Sequence, residues 1–514
     1  MLHWSVATGP VATPSPEVLV NLAAIIEPHP ADAPALISRG EVTSYGLLRD
    51  QVGALRGGLV GLGIDPGDRV AILCANNWYF VVSYLAVLGV GGVAVPLNPL
   101  SPGRELEREL ASVGARAMLV GPSGRRTADT IDRDRLPVLE FVVHSDDHGG
   151  DGPVLDELLA SAPVPIIERE AGDLAVLIFT SGTAGSPKAA MLSHGNLLAN
   201  IEQVVGLRGG GDPSDVGFGV LPMFHIYGLN VVLGASLHAG ASVLLVERFD
   251  PLSAVEAILK HGVTVLGGAP QMWAAWAAMG DLPDDAFASV KVATSGAARL
   301  DPDVARTVHE RFGLELGEGY GLTEASPVVT ATIGLPWRPG SVGAPVDGLE
   351  VRLVDADGGD VLVGDPGEIW VRGPNVFCGY WNDAEATRAC LDDDGWLHTG
   401  DVALVDDEGF LHLVDRVKDL IIVSGFNVFP AEVEEEILQL DGVSECAVVG
   451  VPHPHTGEAV KAFVVLEPGY ALDEDTVIEF VAGRLARYKC PQKVNFVTEL
   501  PQNLTGKVLR RALR

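Results

Sequence analysis

At 514 residues the chain exceeds what one hydrophobic core usually serves, so two or more domains are expected. Hydrophobic residues make up 47% and charged ones 20%, a globular composition that excludes a disordered chain. The net charge of −33 argues against nucleic acid or an anionic membrane as a main partner.

The first ten residues, Met1 to Pro10, lack a basic stretch followed by an apolar one, so no signal peptide is expected. From Ala75 to Gly103 no charged residue occurs, a length that raises a membrane span. Asn76 and Asn77 open this stretch and Gly91, Gly92 and Pro96 interrupt it. A buried helix over 78–88 followed by a buried strand over 93–95 is the better reading.

Between about residues 44 and 330, helices and strands alternate. Apolar runs at 70–73, 174–179, 217–221, 242–246, 264–266 and 292–294 read as strands. Pro251 opens a helix that Gly262 ends, and Asp301-Pro302 opens one that Gly313 ends. Such alternation implies parallel sheets covered on both faces. Residues 121–170 read as a variable surface region.

Ile178-Phe-Thr-Ser-Gly-Thr-Ala-Gly-Ser-Pro-Lys188 follows one of these strands and precedes a helix start at Ser193-His194. Glycine-freed N–H groups, hydroxyls and a lysine are what a polyphosphate needs. The spacing is not that of a Walker A loop, because Ala189 rather than Ser or Thr follows the lysine. Taken alone, the segment could equally be a Gly/Ser/Thr turn.

From Ser341 to about Leu413, short apolar runs are broken by Asp347-Gly348, Asp357-Gly358 and Asp394-Gly395, which predicts hairpins in a small barrel-like sheet. After Asp415-Arg-Val-Lys418 a compact α+β unit is expected, with helices at 431–440 and 474–486 and strands at 447–451, 459–466 and 494–497. The boundary is placed at 415–418, between a large domain (1–414) and a small one (419–514). Within Val481 to Arg514 eight basic residues face one acid, Glu499, on an otherwise acidic chain. The five cysteines (74, 378, 390, 446, 490) form no C-x-x-C pair, which fits a reducing, cytoplasmic setting without disulfides or structural zinc.

Downstream of the 178–188 run stand Gly319-Tyr-Gly-Leu-Thr-Glu324, Gly395-Trp-Leu-His-Thr-Gly-Asp401, Asp415-Arg-Val-Lys-Asp419 and Asn503-Leu-Thr-Gly-Lys507. In this order they resemble the core motifs of the adenylate-forming superfamily, which comprises acyl-CoA synthetases, adenylation domains and beetle luciferases. The resemblance runs from about Asn21 to the C-terminus. It implies an α/β fold with a large N-terminal domain of layered β/α subdomains, a small barrel-like sheet and a mobile α+β C-terminal domain. It also implies an enzyme using ATP, Mg²⁺ and CoA.

Residue by residue, the resemblance implies that Thr180, Ser181, Gly182, Thr183 and Gly185 cradle phosphates, with Lys188 as an added charge. Ala184 and Ala189-Ala190 depart from the family's usual Thr and Gly-Val but leave the backbone donors intact. Glu324, helped by Thr180, would bind Mg²⁺; alone, it would pass for an acid at a helix N-terminus. Thr323 would bond the α-phosphate. Tyr320 would stack on adenine, between Gly319 and Gly321, with Glu318 in the same site and Ser295-Gly296-Ala297-Ala298 as the opposite wall. Asp401 would accept from both ribose hydroxyls and Arg416 would reach ribose or phosphate. Lys507 is the leading catalytic residue, Lys418 the hinge, and Ser424-Gly425-Phe426 the approach for CoA.

His225, in Leu221-Pro-Met-Phe-His-Ile-Tyr-Gly228, would border the acyl pocket; a lone His on an apolar stretch is otherwise packed core. Amino-acid-activating relatives carry an Asp after the phenylalanine of this motif, and His225 stands there instead. Ile226, Tyr227, Leu229, Val231, Gly317 and Val328 complete an apolar or small lining, which implies a hydrophobic acid, a medium- or long-chain fatty acid first. Aryl acids, a carrier-protein acceptor and a catalytically idle nucleotide-binding protein are the alternatives. A homodimer is left open.

Overall fold

The computed structural model describes residues 5–7, 20–146, 152–180, 188–207, 211–416, 419–423, 426–454, 456–502 and 508–513. Four sheets organise them. The first has six strands in the order Phe141–His144, Ala117–Val120, Arg69–Leu73, Val93–Leu97, β1 (Leu174–Thr180) and β2 (Lys188–Ser193). All pairs are parallel except the last, a hairpin in which Thr180 opposes Lys188. The sequence reading had the 181–187 run leading from strand to helix. It joins two strands instead, and helix α1 (His194–Leu207) begins only after the second.

The second sheet has nine strands. Ala344–Pro345, β5 (Val328–Ala331), β4 (Leu316–Gly321) and β3 (Val292–Ser295) are followed by Val265–Gly268, Val216–Gly219, Ser242–Leu245, Pro34–Ser38 and Glu41–Ser44. Its centre, from β4 to Pro34–Ser38, is parallel, and its edges are antiparallel. The intervening helices end as their sequences dictate. Asp250 accepts the Ser253 N–H at 2.9 Å to cap Pro251–His261, and Gly262 closes it with φ of 62°.

The charge-free stretch is the middle of the core. Helix Trp78–Gly89 buries Phe80, Val81, Val82, Leu85 and Leu88 completely, and the buried strand Val93–Leu97 follows. No described helix is long and apolar enough to cross a membrane.

A third sheet is antiparallel: Ser5–Ala7, Glu350–Val354, Gly367–Arg372, β6 (Leu397–Val405) and Leu411–Arg416. The C-terminal portion orders its strands as Phe426–Val428, Ile421–Val423, Gly457–Leu466 and Val443–His453, with Lys493–Phe496 parallel to Gly457–Leu466. Helix α2 (Pro430–Leu438) packs on Val443–His453. The chain thus has a large N-terminal α/β part and a smaller C-terminal α+β part.

Candidate active site

Parallel sheets present their loops at the carboxyl ends of the strands, where ligands of α/β proteins bind. A cleft of about 1350 Å³ opens there, lined by Leu97-Asn98, Thr180, Val220-Leu221, Glu247, Ala269, Thr294–Ala297 and Gly319–Glu324. Each of these groups ends or follows a parallel strand. Lys188, Tyr380, Glu368 and His398–Gly400 close one side, and Gln502 reaches it from the C-terminal part.

β4 delivers the central motif. A Cβ on Gly319 would stand 2.8 Å from the Thr330 carbonyl oxygen, and one on Gly321 2.3 Å from that of Pro327. Both glycines are therefore required by the returning strand β5, a cause lying within the sheet. Tyr320 between them is buried, and its hydroxyl donates to Asp401 Oδ2 at 2.7 Å. This fixes the carboxylate that β6 carries. β6 is itself held where Glu368 Oε1 accepts the Gly400 N–H at 2.9 Å. Glu318 is buried, which pushes its carboxyl above the usual range, and it accepts the Gly340 N–H at 3.0 Å.

Beyond Gly321, the short turn Thr323–Ala325 sets Glu324 on the cleft wall. Tyr380 donates to Glu324 Oε1 at 2.5 Å, and Lys188 Nζ lies 5.1 Å from the centre of the Tyr380 ring. The sequence reading did not single out Tyr380. Only its place 56 residues from Glu324 in the chain hid it. Thr180 also lines the cleft, at the other end of the same hairpin as Lys188.

The opposite wall runs along the end of β3. Ala297 adopts φ of 70°, a left-handed conformation that strains a residue with a Cβ. Ser295 is buried, and its hydroxyl has no partner among the described residues although Ser295 lines the cleft. A Cβ on Gly296 would meet Tyr227 Cε1 at 2.8 Å. The Tyr227 hydroxyl in turn shares a 3.1 Å hydrogen bond with Thr294 Oγ1.

Tyr227 belongs to a π-helical segment, Tyr227–Gly234, whose approach is set by Asn76. The Asn76 amide donates to the carbonyls of Gly219 (2.9 Å) and Leu221 (2.7 Å) and accepts the Met223 N–H (3.0 Å). His225 follows, half-buried on the cleft wall. Burial holds its imidazole down at about 4, so it is neutral at neutral pH. Ile226, Tyr227, Val231 and Val328 line the cleft with it, beside Phe249, Met272 and Ile333, which the sequence reading missed. Gly317 and Leu229 lie behind the wall and line no part of it.

Several expected site residues, Ser181, Gly182, Thr183, Gly185, Lys418, Ser424, Gly425 and Lys507, lie outside the described residues, and Arg416 and Phe426 are described by backbone alone. Three of the eight basic residues of the tail are paired within the small domain. Arg484, Lys489 and Arg510 pair with Glu436, Glu432 and Glu434 of α2 at 3.6, 2.6 and 2.6 Å. The helix carries Glu432, Glu434, Glu435 and Glu436, so these three basic side chains each meet an acid on it.

Charge on the cleft is lopsided. Six glutamates line it (105, 109, 247, 318, 324 and 368), against Lys188 as the one Lys or Arg among the described lining residues. Burial, then Glu105, pushes Glu109 up to about 8. A polyphosphate needs added cations here. Mg²⁺ fits such a site, since it takes one or two protein oxygens and fills its octahedron with phosphate and water. The Glu324 carboxylate and the Thr180 hydroxyl are suitable donors, both on the cleft wall.

The family model for AMP-binding enzymes matches residues 22–381, and that for their C-terminal domain matches 432–507. The chain belongs to the AMP-binding enzyme family; it is an AMP-forming acid–CoA ligase, with ATP and CoA as co-substrates. It is 37% identical to the long-chain-fatty-acid–CoA ligase of Bacillus subtilis (strain 168), over 88% of this chain and 86% of that protein. It is also 37% identical to a feruloyl-CoA synthase of an Amycolatopsis species, over 95% and 96%. Among solved structures, ATP-bound MatB of Rhodopseudomonas palustris superposes with a TM-score of 0.89 at 35% identity, covering 96% of this chain and 98% of that one.

Proposed function

We propose that the chain converts a hydrophobic monocarboxylic acid, a medium- or long-chain fatty acid, to its acyl-AMP and then to acyl-CoA. One observation carries this reading: a set of apolar side chains, taken here as an acyl lobe, lines the same cleft as Glu324 and as Tyr320, which holds Asp401. Phe224, Ile226, Val231, Phe249, Met272 and Ile333 line that cleft. Lys188, its described lysine, lies over Tyr380 beside Glu324 and leaves the lobe without a cation. A second carboxylate on the substrate would find no Lys or Arg to pair with among the described residues there.

In the first half-reaction a carboxylate oxygen attacks the α-phosphorus and pyrophosphate leaves. In the second, the CoA sulfur attacks the acyl carbonyl, its proton is lost, and AMP leaves. Asp401, oriented by Tyr320, receives the ribose hydroxyls, and the Ser295 hydroxyl faces the opposite side of the nucleotide. Thr180, Lys188, Thr323 and the 181–185 segment take the phosphates. Glu324 and Thr180 would hold Mg²⁺, which when bound would supply charge neutralisation for the triphosphate. Neutral His225 orients the attacking carboxylate by hydrogen bonding without titrating near pH 7. Lys507, carried by the small domain, completes the charge over the α-phosphate, and rotation about Lys418 replaces it with the CoA approach at 424–426.

An aryl acid is the second reading, favoured by the relative named as a feruloyl-CoA synthase. The test is acid-dependent AMP release with Mg-ATP across linear acids of rising length and hydroxycinnamates, with and without CoA. Release that rises with apolar length and yields thioester only with CoA is expected. Preference for dicarboxylic or amino acids, or no acid-dependent release, would overturn the proposal.

A further inference from the structure

Tyr380 lies outside every motif used above, yet three parts of the site converge on it. Its hydroxyl donates to Glu324 Oε1 at 2.5 Å. Its ring faces Lys188 Nζ at 5.1 Å, within the range of a cation–π contact. Its backbone belongs to a strap, residues 377–381, stitched to both neighbours. The Trp381 N–H donates to the Ala189 carbonyl (2.8 Å), the Met191 N–H to that of Gly379 (2.9 Å), and the Cys378 N–H to that of Met191 (2.9 Å). The Phe377 N–H donates to the Glu324 carbonyl oxygen at 2.9 Å, and the Tyr380 N–H to Thr387 Oγ1 at 2.9 Å.

The strap therefore binds the first residues of β2, where the 181–187 segment re-enters the sheet, to the turn that carries Glu324. With its backbone held on both sides, Tyr380 has little freedom to follow a moving carboxylate. A glutamate on a short, half-buried turn at the cleft wall would otherwise sample several rotamers, and ordering it on ligand binding costs free energy. A donor fixed to one oxygen removes that freedom in advance.

We infer that Tyr380 is a positioning residue of the adenylation half-reaction: its hydroxyl locks Glu324, and its ring places Lys188, for the divalent cation carried on the ATP phosphates. The inference rests on Glu324 serving that cation, and so on the proposed adenylation chemistry. It names a residue beyond those that touch substrate, and assigns the strap the task of keeping the loop's lysine and the metal carboxylate in register.

The test is Mn²⁺ binding in the presence of saturating ATP, read from the electron paramagnetic resonance signal of free Mn²⁺. Tyr380→Phe keeps the ring and the strap and removes only the hydroxyl. It is expected to weaken Mn²⁺ uptake about tenfold, the scale of one hydrogen bond to a charged group, while ATP binding in EDTA and the melting temperature stay at wild-type values. In a Glu324→Gln background the same substitution should add no further loss. Unchanged or tighter Mn²⁺ binding in Tyr380→Phe would overturn the inference, as would an undiminished effect in the Glu324→Gln background. A wild-type protein that took up no Mn²⁺ with ATP would sink both the inference and the assignment of Glu324 beneath it.

Discussion

Replacing Gly296 by alanine tests where the acyl group lies. The new methyl carbon would stand 2.8 Å from Tyr227 Cε1 and 3.2 Å from Cζ, so either the wall or the ring must shift. The wall is held by the Gly296 N–H, which donates to the Gly268 carbonyl at 3.1 Å. The ring, partly buried on the cleft wall, shares a 3.1 Å hydrogen bond with Thr294 Oγ1, and a Gly267 Cβ position lies 3.3 Å from its hydroxyl oxygen. The ring yields, and it yields into the cleft. Overpacking of this kind costs about 1–3 kcal/mol, of which losing the hydroxyl bond is about 1. If the displaced ring occupies the acyl lobe, long acids bear that cost in the transition state and short ones do not. kcat/KM for long acids should then fall roughly 5- to 150-fold, with a much smaller change for the shortest acids accepted. The assay is acid-dependent AMP release over a chain-length series. Removing the ring in a Gly296→Ala/Tyr227→Ala double variant should restore the long acids, because the clash disappears. Equal loss at every chain length, or no rescue by the double variant, would refute the placement of the acyl lobe beside Tyr227.

Tyr320→Phe leaves Asp401 without its 2.7 Å donor in a buried setting, so the KM for ATP should rise about tenfold, and the preference for ATP over 2′-deoxy-ATP should shrink; an unchanged preference would dissociate Asp401 from the ribose. Lys507→Ala should abolish acyl-AMP formation while thioester formation from supplied acyl-AMP largely survives; equal loss of both would remove the division of labour between the two half-reactions. His194 is fully buried, and burial, then Arg169, holds its pKa down at about 4, with Asp173 opposing. The unfolded chain takes up that proton near pH 6.5, so between about 6.5 and 4 stability should fall as pH falls, by up to about 1.4 kcal/mol per unit. Urea unfolding at stepped pH should show a flatter profile in His194→Gln, and parallel profiles would reject the assignment.

Much of this architecture could be read from local pattern, because helix ends and apolar strands are written in short stretches of chain. Pro251 and Gly262, or Pro302 and Gly313, bracket helices as expected. What escaped depends on pairing across long separations. Lys188–Ser193 contains two alanines and a lysine, a poor strand by composition. It extends because β1 lies on one side and the 378–381 strap on the other. The packing constraint on Gly319 and Gly321 escaped for the same reason, since the atoms that exclude a side chain there belong to residues 327–330. Asn76 is read from the sequence only as opening the charge-free run. Its amide spans almost 150 residues to shape the entry to His225.

Charge was the least legible property, and it bears most directly on how the cleft must work. A basic C-terminal tail on an acidic chain holds eight cations that a solvated face would leave unpaired. Instead α2 occupies three of them, and those contacts steady the small domain itself: Arg510, three residues beyond Lys507, is tied to Glu434 at 2.6 Å, and Glu434 also accepts the Val448 N–H at 2.6 Å. The cleft meanwhile keeps six glutamates against one described lysine. Glu109, held up at about 8, is mostly protonated at neutral pH, and Glu247 is paired with Arg39. The wall that remains still weakens the binding of a free triphosphate and, on the proposed mechanism, favours one that arrives with a divalent cation and is met by Lys507. Withdrawing that lysine would weaken the hold on the departing pyrophosphate and AMP. On the proposed mechanism, in which the small domain rotates between the two half-reactions, the same acidic wall would then favour release of the anionic products.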